Sequence, residues 1–241
     1  MADAIFEEPR LAEIYDALDG DRSDLDHYVA IVDELGAEAV LDVGCGTGSL
    51  AVRLAALGKT VIGLDPAGAS LDVARRKADA DSVRWVHGDV SALPPLKVDL
   101  VTMTGNVAQA VLTETGWQAV LDAAQAALRP GGFFVFETRD PACRAWKEWT
   151  QVASQRRIDV PDVGPIQTWV DLTAVTPPLV SFRHTFVFET DTTVLTSEST
   201  LRFRDRAEIV DTLANAGFVV GDVRDAPDRR GLELVFVAER P

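Results

Sequence analysis

Hydrophobic positions along this chain recur with two different periods, and the period changes twice. Residues 8–18, EPRLAEIYDAL, place Leu11, Ile14, Tyr15 and Leu18 at i, i+3, i+4 and i+7, one face of a helix. Ser23 and Asp24 can cap a second helix over about 25–35, which stops at Gly36. From Ala39 to Glu137, short apolar runs alternate with helical ones. VLDV (40–43), TVIGLD (60–65), VRWVHGD (83–89), VDLVTM (98–103) and FFVFET (133–138) read as strands. Residues 49–57, 67–78 and 114–128 read as the helices between them, the last ending at the Pro-Gly turn RPGG. The strands are apolar throughout, as expected when helices cover both faces. This alternation predicts an α/β fold with a Rossmann-like, doubly wound parallel sheet.

After Thr138 the rhythm changes. RAWKEW (144–149) reads as a short helix. Three stretches with period 2 follow, about 166–175, 180–190 and 193–204, joined by TPP and TDT. They predict an antiparallel β-meander. A helix over 205–216 stops at Gly217, and FVVGDV and LELVFVAER then read as a closing strand pair. The sheet resumes after the meander, so the meander is an insertion. The expected organisation is one domain, 1–241, with an N-terminal helical cap (1–37) and an inserted meander (150–204) over the active site.

Composition narrows the function classes. The formal charge of −15 over 241 residues opposes binding to nucleic acid or to an anionic membrane surface. No run approaches the roughly 18 apolar residues of a membrane helix, and MADAIFEEPR has neither a basic nor an apolar leader region. Cys45 and Cys143 fit no metal-ligand spacing, so no metal is expected. The expected setting is a cytoplasmic protein acting on a small molecule, as a monomer or a homodimer.

The chemistry centres on EAVLDVGCGTGSLAV (38–52). Gly44, Gly46 and Gly48 alternate as G-x-G-x-G. Glycine suits positions where φ is positive or a ligand must touch the backbone. The dinucleotide fingerprint G-x-G-x-x-G would need a third glycine at position 49, which is Ser. Asp65 ends the second strand, where an acid can accept from both ribose hydroxyls. Gly88-Asp89 ends the third strand, where an acid can accept from an adenine amino group beside Val90. Asp42, within the first strand, needs hydrogen-bond partners, which the N–H groups of the turn can supply.

These residues resemble a class I S-adenosylmethionine-dependent methyltransferase. LDVGCGTG (41–48) is similar to that family's first motif, Asp65 to its second-strand acid, Gly88-Asp89 to its third-strand pair and LRPGG (128–132) to the turn before its fifth strand. The resemblance covers about 38–140 and the closing helix and strands. It implies the strand order 3-2-1-4-5-7-6 with the last strand antiparallel, and S-adenosyl-L-methionine as cofactor. It also implies a cofactor site: Gly44, Cys45 and Gly46 beside the methionine portion, Asp65 and Pro66 at the ribose, Asp89 and Val90 at the adenine. Thr104, Gly105 and Asn106 lie near the ammonium and the methyl, Asp42 lies below the turn, and Tyr15 of the cap is a candidate for the cofactor carboxylate.

The implied activity is methyl transfer to a small-molecule nucleophile by in-line displacement, which needs a base only when the nucleophile starts protonated. Three histidines compete for that role: His27, His87 and His184. His184 is the catalytic candidate, sharing a strand face with Phe182, Phe186 and Phe188. Arg139 and Trp146, just after the fifth strand, are candidates for shaping the substrate pocket, with Trp149 nearby. Arg183, Arg202, Arg204 and Arg206 either grip an anionic substrate or sit solvated beside acids. Three other readings remain: a nicotinamide-dependent oxidoreductase, opposed by Ser49 and the absence of a Tyr-x-x-x-Lys pair; a non-catalytic S-adenosylmethionine-binding protein; and a nucleic-acid or protein methyltransferase, opposed by the charge and the compact insertion.

Overall fold

In the computed structural model, which describes residues 2–20 and 22–241, the apolar runs build one mixed sheet. Its strands are β1 (Ala39–Val43), β2 (Thr60–Asp65), β3 (Val83–His87), β4 (Val98–Met103), β5 (Leu128–Arg139), β10 (Val219–Asp225) and β11 (Glu233–Glu239). The order is β3-β2-β1-β4-β5-β11-β10, with β11 antiparallel to both neighbours and the other pairs parallel. With the two closing strands numbered six and seven, this is the expected 3-2-1-4-5-7-6.

Alternation along each strand divides the core between two layers. Leu41 and Val43 face one cluster with Trp117, Leu121, Phe134, Phe136 and Phe236. Val40, Leu100, Val135 and Val237 face the other, with Leu50 and Leu54 of α4 (Ser49–Ala56) and Tyr28, Ile31 and Val32 of α3 (Asp26–Glu34). The first cluster is covered by α7 (Glu114–Ala127) and α9 (Arg206–Asn215). Each of these begins on a side-chain cap: Thr113 accepts from the Gly116 amide and Asp205 from the Glu208 amide. Between β2 and β3 lies α5 (Gly68–Arg75).

The N-terminal segment forms α1 (Ala4–Glu7) and α2 (Pro9–Asp19). α3 is preceded by a 3-10 turn, Ser23–Leu25, and its own start carries no side-chain cap. The Asp24 carboxylate, expected to cap, instead takes two hydrogen bonds from Arg22. RPGG does not break the chain before β5. The strand begins at Leu128, and a register jump against β4 absorbs the turn as a bulge around Gly131, at φ 79°.

The insertion is a separate antiparallel sheet of four strands rather than three: β6 (Arg156–Val160), β7 (Gly164–Thr176), β8 (Leu179–Phe188) and β9 (Val194–Arg202). β6, RRIDV, alternates over only two apolar positions, Ile158 and Val160, too short a pattern to register as a strand. It forms because the β7 edge offers it backbone partners. Val160, Ile166, Phe186 and Phe188 bury themselves against Leu11, Ile14 and Leu18 of α2, so the cap is the layer between the two sheets. Short helices also include α6 (Val107–Ala110) after β4, α8 (Gln151–Ser154) before β6 and, within RAWKEW, a 3-10 turn at Ala145–Glu148.

Candidate active site

The carboxyl ends of β1, β2, β4 and β5 meet under the cap. The turn after β1 is held from below, where the Gly44 and Cys45 amides both donate to the Leu64 carbonyl (2.8 and 3.1 Å). Gly44, Gly46 and Gly48 all have positive φ (72°, 54° and 76°), but their surroundings differ. A Cβ at Gly44 would come within 2.5 Å of Val107, and one at Gly48 within 2.4 Å of Trp85, whereas one at Gly46 would meet nothing within 4 Å. Gly44 and Gly48 are therefore glycines for packing, and Gly46 faces open space.

Asp65 is buried, and its two carboxylate oxygens accept from the Gly46 amide (2.7 Å) and the Ala67 amide (2.8 Å). One side chain thus ties the glycine turn to the start of α5. Burial pushes its pKa up, and the two amide donors pull it back down. A carboxylate has about four lone-pair sites, so capacity remains for two further donors. Pro66, next to it, is exposed.

Asp89 is exposed and accepts from the amide (2.9 Å) and hydroxyl (2.6 Å) of Ser91, bonds that hold its carboxyl below the usual range. Val90 follows it and packs on the core. Asp42 is buried, and the expected partners differ: the Thr102 hydroxyl donates to it (2.9 Å), not the turn amides. With one donor to oppose desolvation, its pKa is pushed up to about 7. Cys45 is half-buried, and burial pushes its thiol well above its ordinary value.

Thr104, Gly105 and Asn106 link β4 to α6. Gly105 (φ 68°) and Asn106 (φ 61°) are consecutive left-handed residues, and nothing lies within 4 Å of a Cβ built at Gly105. Asn106 is buried. Its amide donates to Glu137 (3.0 Å) and its side-chain nitrogen to Glu233 (2.9 Å), while Oδ1 is buried without a hydrogen-bond partner among the described residues.

Sequence reasoning missed the acids that Asn106 engages. Glu137, near the end of β5, and Glu233, at the start of β11, are both buried. Each is an acid directly adjoining an apolar run, FFVF before Glu137 and LVFVA after Glu233, which is the signal that could have found them. Glu233 is surrounded by cations, with Arg229 at 2.8 Å and Arg139 at 3.5 Å. Glu137 feels Arg229 and Arg139 only at longer range: Tyr28 and the Asn106 amide are its direct donors, and no ion pair to it is found among the described residues. Burial and the neighbouring Glu233 push the Glu137 pKa up.

Tyr15, Arg22, His27, Tyr28, Asn106, Glu137 and Arg139 are among the residues enclosing a cavity of about 140 Å³, with Asp19, Asp24, Asp228 and Arg229 toward its rim. Burial pushes the Tyr15 phenol up, so it holds its proton and acts as a donor. Arg139 donates to Gln109 (3.1 Å) and lies 5.7 Å from the centre of the Trp149 ring.

Other sequence candidates fall outside this cavity. Trp146 packs edge-on against Phe203 (4.6 Å between ring centres). His184, in β8, meets Thr168 (2.7 Å) and the Phe186 ring, and burial lowers its pKa to about 4. His87 meets the Pro66 carbonyl (3.1 Å) at the sheet edge. Of the arginines, Arg183 pairs with Glu198, and Arg202 with Glu114 and Glu208. Arg204 departs from the expectation of a solvated residue. It is buried and donates to the Ala108 (3.3 Å) and Val111 (2.9 Å) carbonyls at the end of α6.

The cap is fastened directly to the turn. Thr47 (2.6 Å) and Ser49 (3.2 Å) donate to Asp16 of α2, and Lys77 pairs with the same carboxylate at 2.6 Å. The Gly68 amide donates to Glu7 (2.8 Å) and the Ser70 hydroxyl to the Phe6 carbonyl (2.8 Å).

Comparison with known proteins agrees with this geometry. Residues 40–132 match the family model described as a methyltransferase domain. The malonyl-[acyl-carrier protein] O-methyltransferase of Yersinia pestis is 32% identical over 164 residues, covering 66% of this chain and 58% of that protein. The chain spans about half the length of the curated relatives it matches. Among solved structures, Streptomyces venezuelae DesVI aligns over 95% of this chain and 98% of its own, with TM-score 0.77 and 20% identity. An S-adenosylmethionine-bound amino pentose methyltransferase from Micromonospora echinaspora, involved in calicheamicin biosynthesis, aligns over 95% and 97%, with TM-score 0.72 and 22% identity. The matched residues 40–132 form a methyltransferase domain, and the sheet order and the glycine turn with its acids give this chain the fold of the class I S-adenosylmethionine-dependent methyltransferases.

Proposed function

We propose that the chain methylates an amine nitrogen of a small molecule held in the cavity between the cap and the ends of β4 and β5. The observation that carries this reading is Glu137, a buried carboxylate facing the cavity with neutral donors and no ion pair among the described residues. Arg229 and Arg139 act on it only from a distance, and a buried charge without a directly paired counter-charge is costly. An ammonium in the cavity supplies the direct ionic partner, and the unpartnered Asn106 Oδ1 supplies a further acceptor for its N–H groups. The net charge of −15 favours a cationic over an anionic substrate at long range. The amino pentose methyltransferase with the same fold agrees by its description.

The residues fit the cofactor. Open space lies over Gly46 and Gly105, where the methionine portion would pass close to backbone. Asp65 keeps acceptor capacity for the ribose, and Asp89 and Val90 offer an acceptor beside an apolar surface for the adenine. Tyr15 is a donor for the carboxylate. When bound, S-adenosylmethionine supplies an electrophilic methyl on a sulfonium whose leaving group is already activated. The protein's own work is alignment and exclusion of water. Glu137 and Asn106 orient the acceptor nitrogen, which must lie roughly 3–3.5 Å from its target. The α1–α2 cap, anchored through Asp16 and Glu7, covers the site.

The test combines calorimetry with label transfer. S-adenosylmethionine and S-adenosylhomocysteine should bind, and methyl-labelled cofactor should mark n-butylamine and D-glucosamine over n-butanol and D-glucose. Transfer only to the hydroxyl compounds overturns the amine reading. Binding of NAD(P)H alone overturns the cofactor assignment.

A further inference from the structure

An ammonium is not a nucleophile until it loses a proton, so the amine reading requires a base in the cavity. His27 is the second residue of α3, and its side chain lines the cavity together with Glu137 and Asn106. Its imidazole leans on the Tyr28 ring, 3.9 Å between centres. The ring hydrogen-bonds to the Asp24 backbone, and Nε2 is buried with no hydrogen-bond partner among the described residues. The bonded nitrogen is therefore Nδ1, which donates to a carbonyl. That bond selects the neutral tautomer with a free lone pair on Nε2. A buried acceptor without a donor needs an explanation, and a substrate proton provides one. His184 has no such vacancy, because its Nε2 already meets Thr168.

We propose that His27 Nε2 is the proton acceptor that turns the bound ammonium into the nucleophilic amine. The inference rests on the amine reading of the cavity. In the step, an N–H bond of the ammonium breaks and its electron pair stays on nitrogen. The proton bonds to the Nε2 lone pair, and the positive charge passes from ammonium to imidazolium. The groups around the ring can hold that charge. The acids are Asp19 of α2, Asp24 of the turn, Glu137 of β5, Asp228 before β11 and Glu233 of β11; the cations are Arg22, Arg139 and Arg229. Desolvation is the largest influence on His27 and lowers its pKa, while Asp228, Asp24 and Glu233 raise it in part. The neutral, proton-accepting form is thus the resting one at pH 7. The proton afterwards leaves past the rim at Asp24 and Asp228.

Two measurements test this. Imidazole-labelled protein examined by ¹⁵N NMR without substrate should show His27 as the Nδ1–H tautomer at pH 7. With n-butylamine as acceptor, His27→Gln should lower kcat about 100-fold, the lower end of what a general base contributes, with KM within threefold and S-adenosylhomocysteine affinity unchanged. The residual rate should climb about tenfold per pH unit as solution supplies free amine, and imidazole should rescue His27→Ala. An Nε2–H tautomer, or a His27→Gln enzyme with wild-type kcat and pH profile, overturns the role of His27 alone. A wild-type protein that methylates no amine overturns the cavity reading and this role together.

Discussion

Asp65→Ala removes one acceptor from two backbone donors at once. The Ala67 amide belongs to a fully buried residue, and the Gly46 amide to a half-buried one. Leaving a buried donor unpaired costs about 1–3 kcal/mol, so the pair costs about 2–4 kcal/mol, with the exposed side of Gly46 holding the sum down. Losing a desolvated carboxylate returns part of this. The remainder is a visible fraction of a total stability of about 5–15 kcal/mol, and the variant still folds. Binding is affected separately. A ribose hydroxyl on a charged acceptor is worth about 1.5–3 kcal/mol, so S-adenosylhomocysteine should bind at least about tenfold more weakly. Asp65→Asn keeps one carbonyl acceptor and should fall between wild type and Asp65→Ala in both respects. Urea unfolding measures the first effect and titration calorimetry the second. A folded Asp65→Ala protein with Kd within twofold of wild type shows that the ribose is held elsewhere. Unchanged stability refutes the role assigned to the two amides.

Glu137→Gln should raise KM for n-butylamine by about 10-fold or more, the loss of one charged hydrogen bond, while calorimetry shows cofactor affinity intact; an unchanged KM removes Glu137 from the substrate site. The Asp42 pKa is raised from 3.8 to about 7, so across that window the folded chain keeps a proton the unfolded chain has released. Stability therefore falls as pH rises through the window and is flat above it. Asp42→Asn should exceed wild type by a few kcal/mol at pH 8, since each tenfold change in proton affinity is worth about 1.4 kcal/mol, and the two urea midpoints should converge near pH 4. Gly46→Ala meets only backbone strain of about 1–2 kcal/mol, whereas Gly48→Ala adds a 2.4 Å approach to Trp85 and should destabilise more in thermal melts; equal losses would refute the distinction.

Much of the fold was legible because its strands are apolar on both faces and its breaks are glycines. β1 to β5, α7, α9 and the closing pair all followed from the change of period. β6 did not, because RRIDV offers only two apolar positions, Ile158 and Val160, and pairs only once β7 presents an edge. The RPGG bulge looked like a break because Pro and Gly mark both. At the site, Asp65 was legible from its place at a strand end. Its grip on two amides was not, because Gly46 and Ala67 meet it only when β1 and β2 lie side by side.

The sequence by itself determined the layered sheet and the glycine turn, since each is written in local spacing, a period and a glycine alternation; the methyl donor followed from the family resemblance that the turn and the strand-end acids carry. The tertiary structure decided everything that depends on distant segments meeting. It brought Tyr28, Asn106 and Glu137 together from positions as far as 109 residues apart, and Asn106 to Glu233 across 127. It withdrew His184 into a satisfied pair with Thr168 and left His27 facing the cavity. Charge compensation and hydrogen-bond satisfaction are properties of neighbours in space, and only the packed cap made those neighbours.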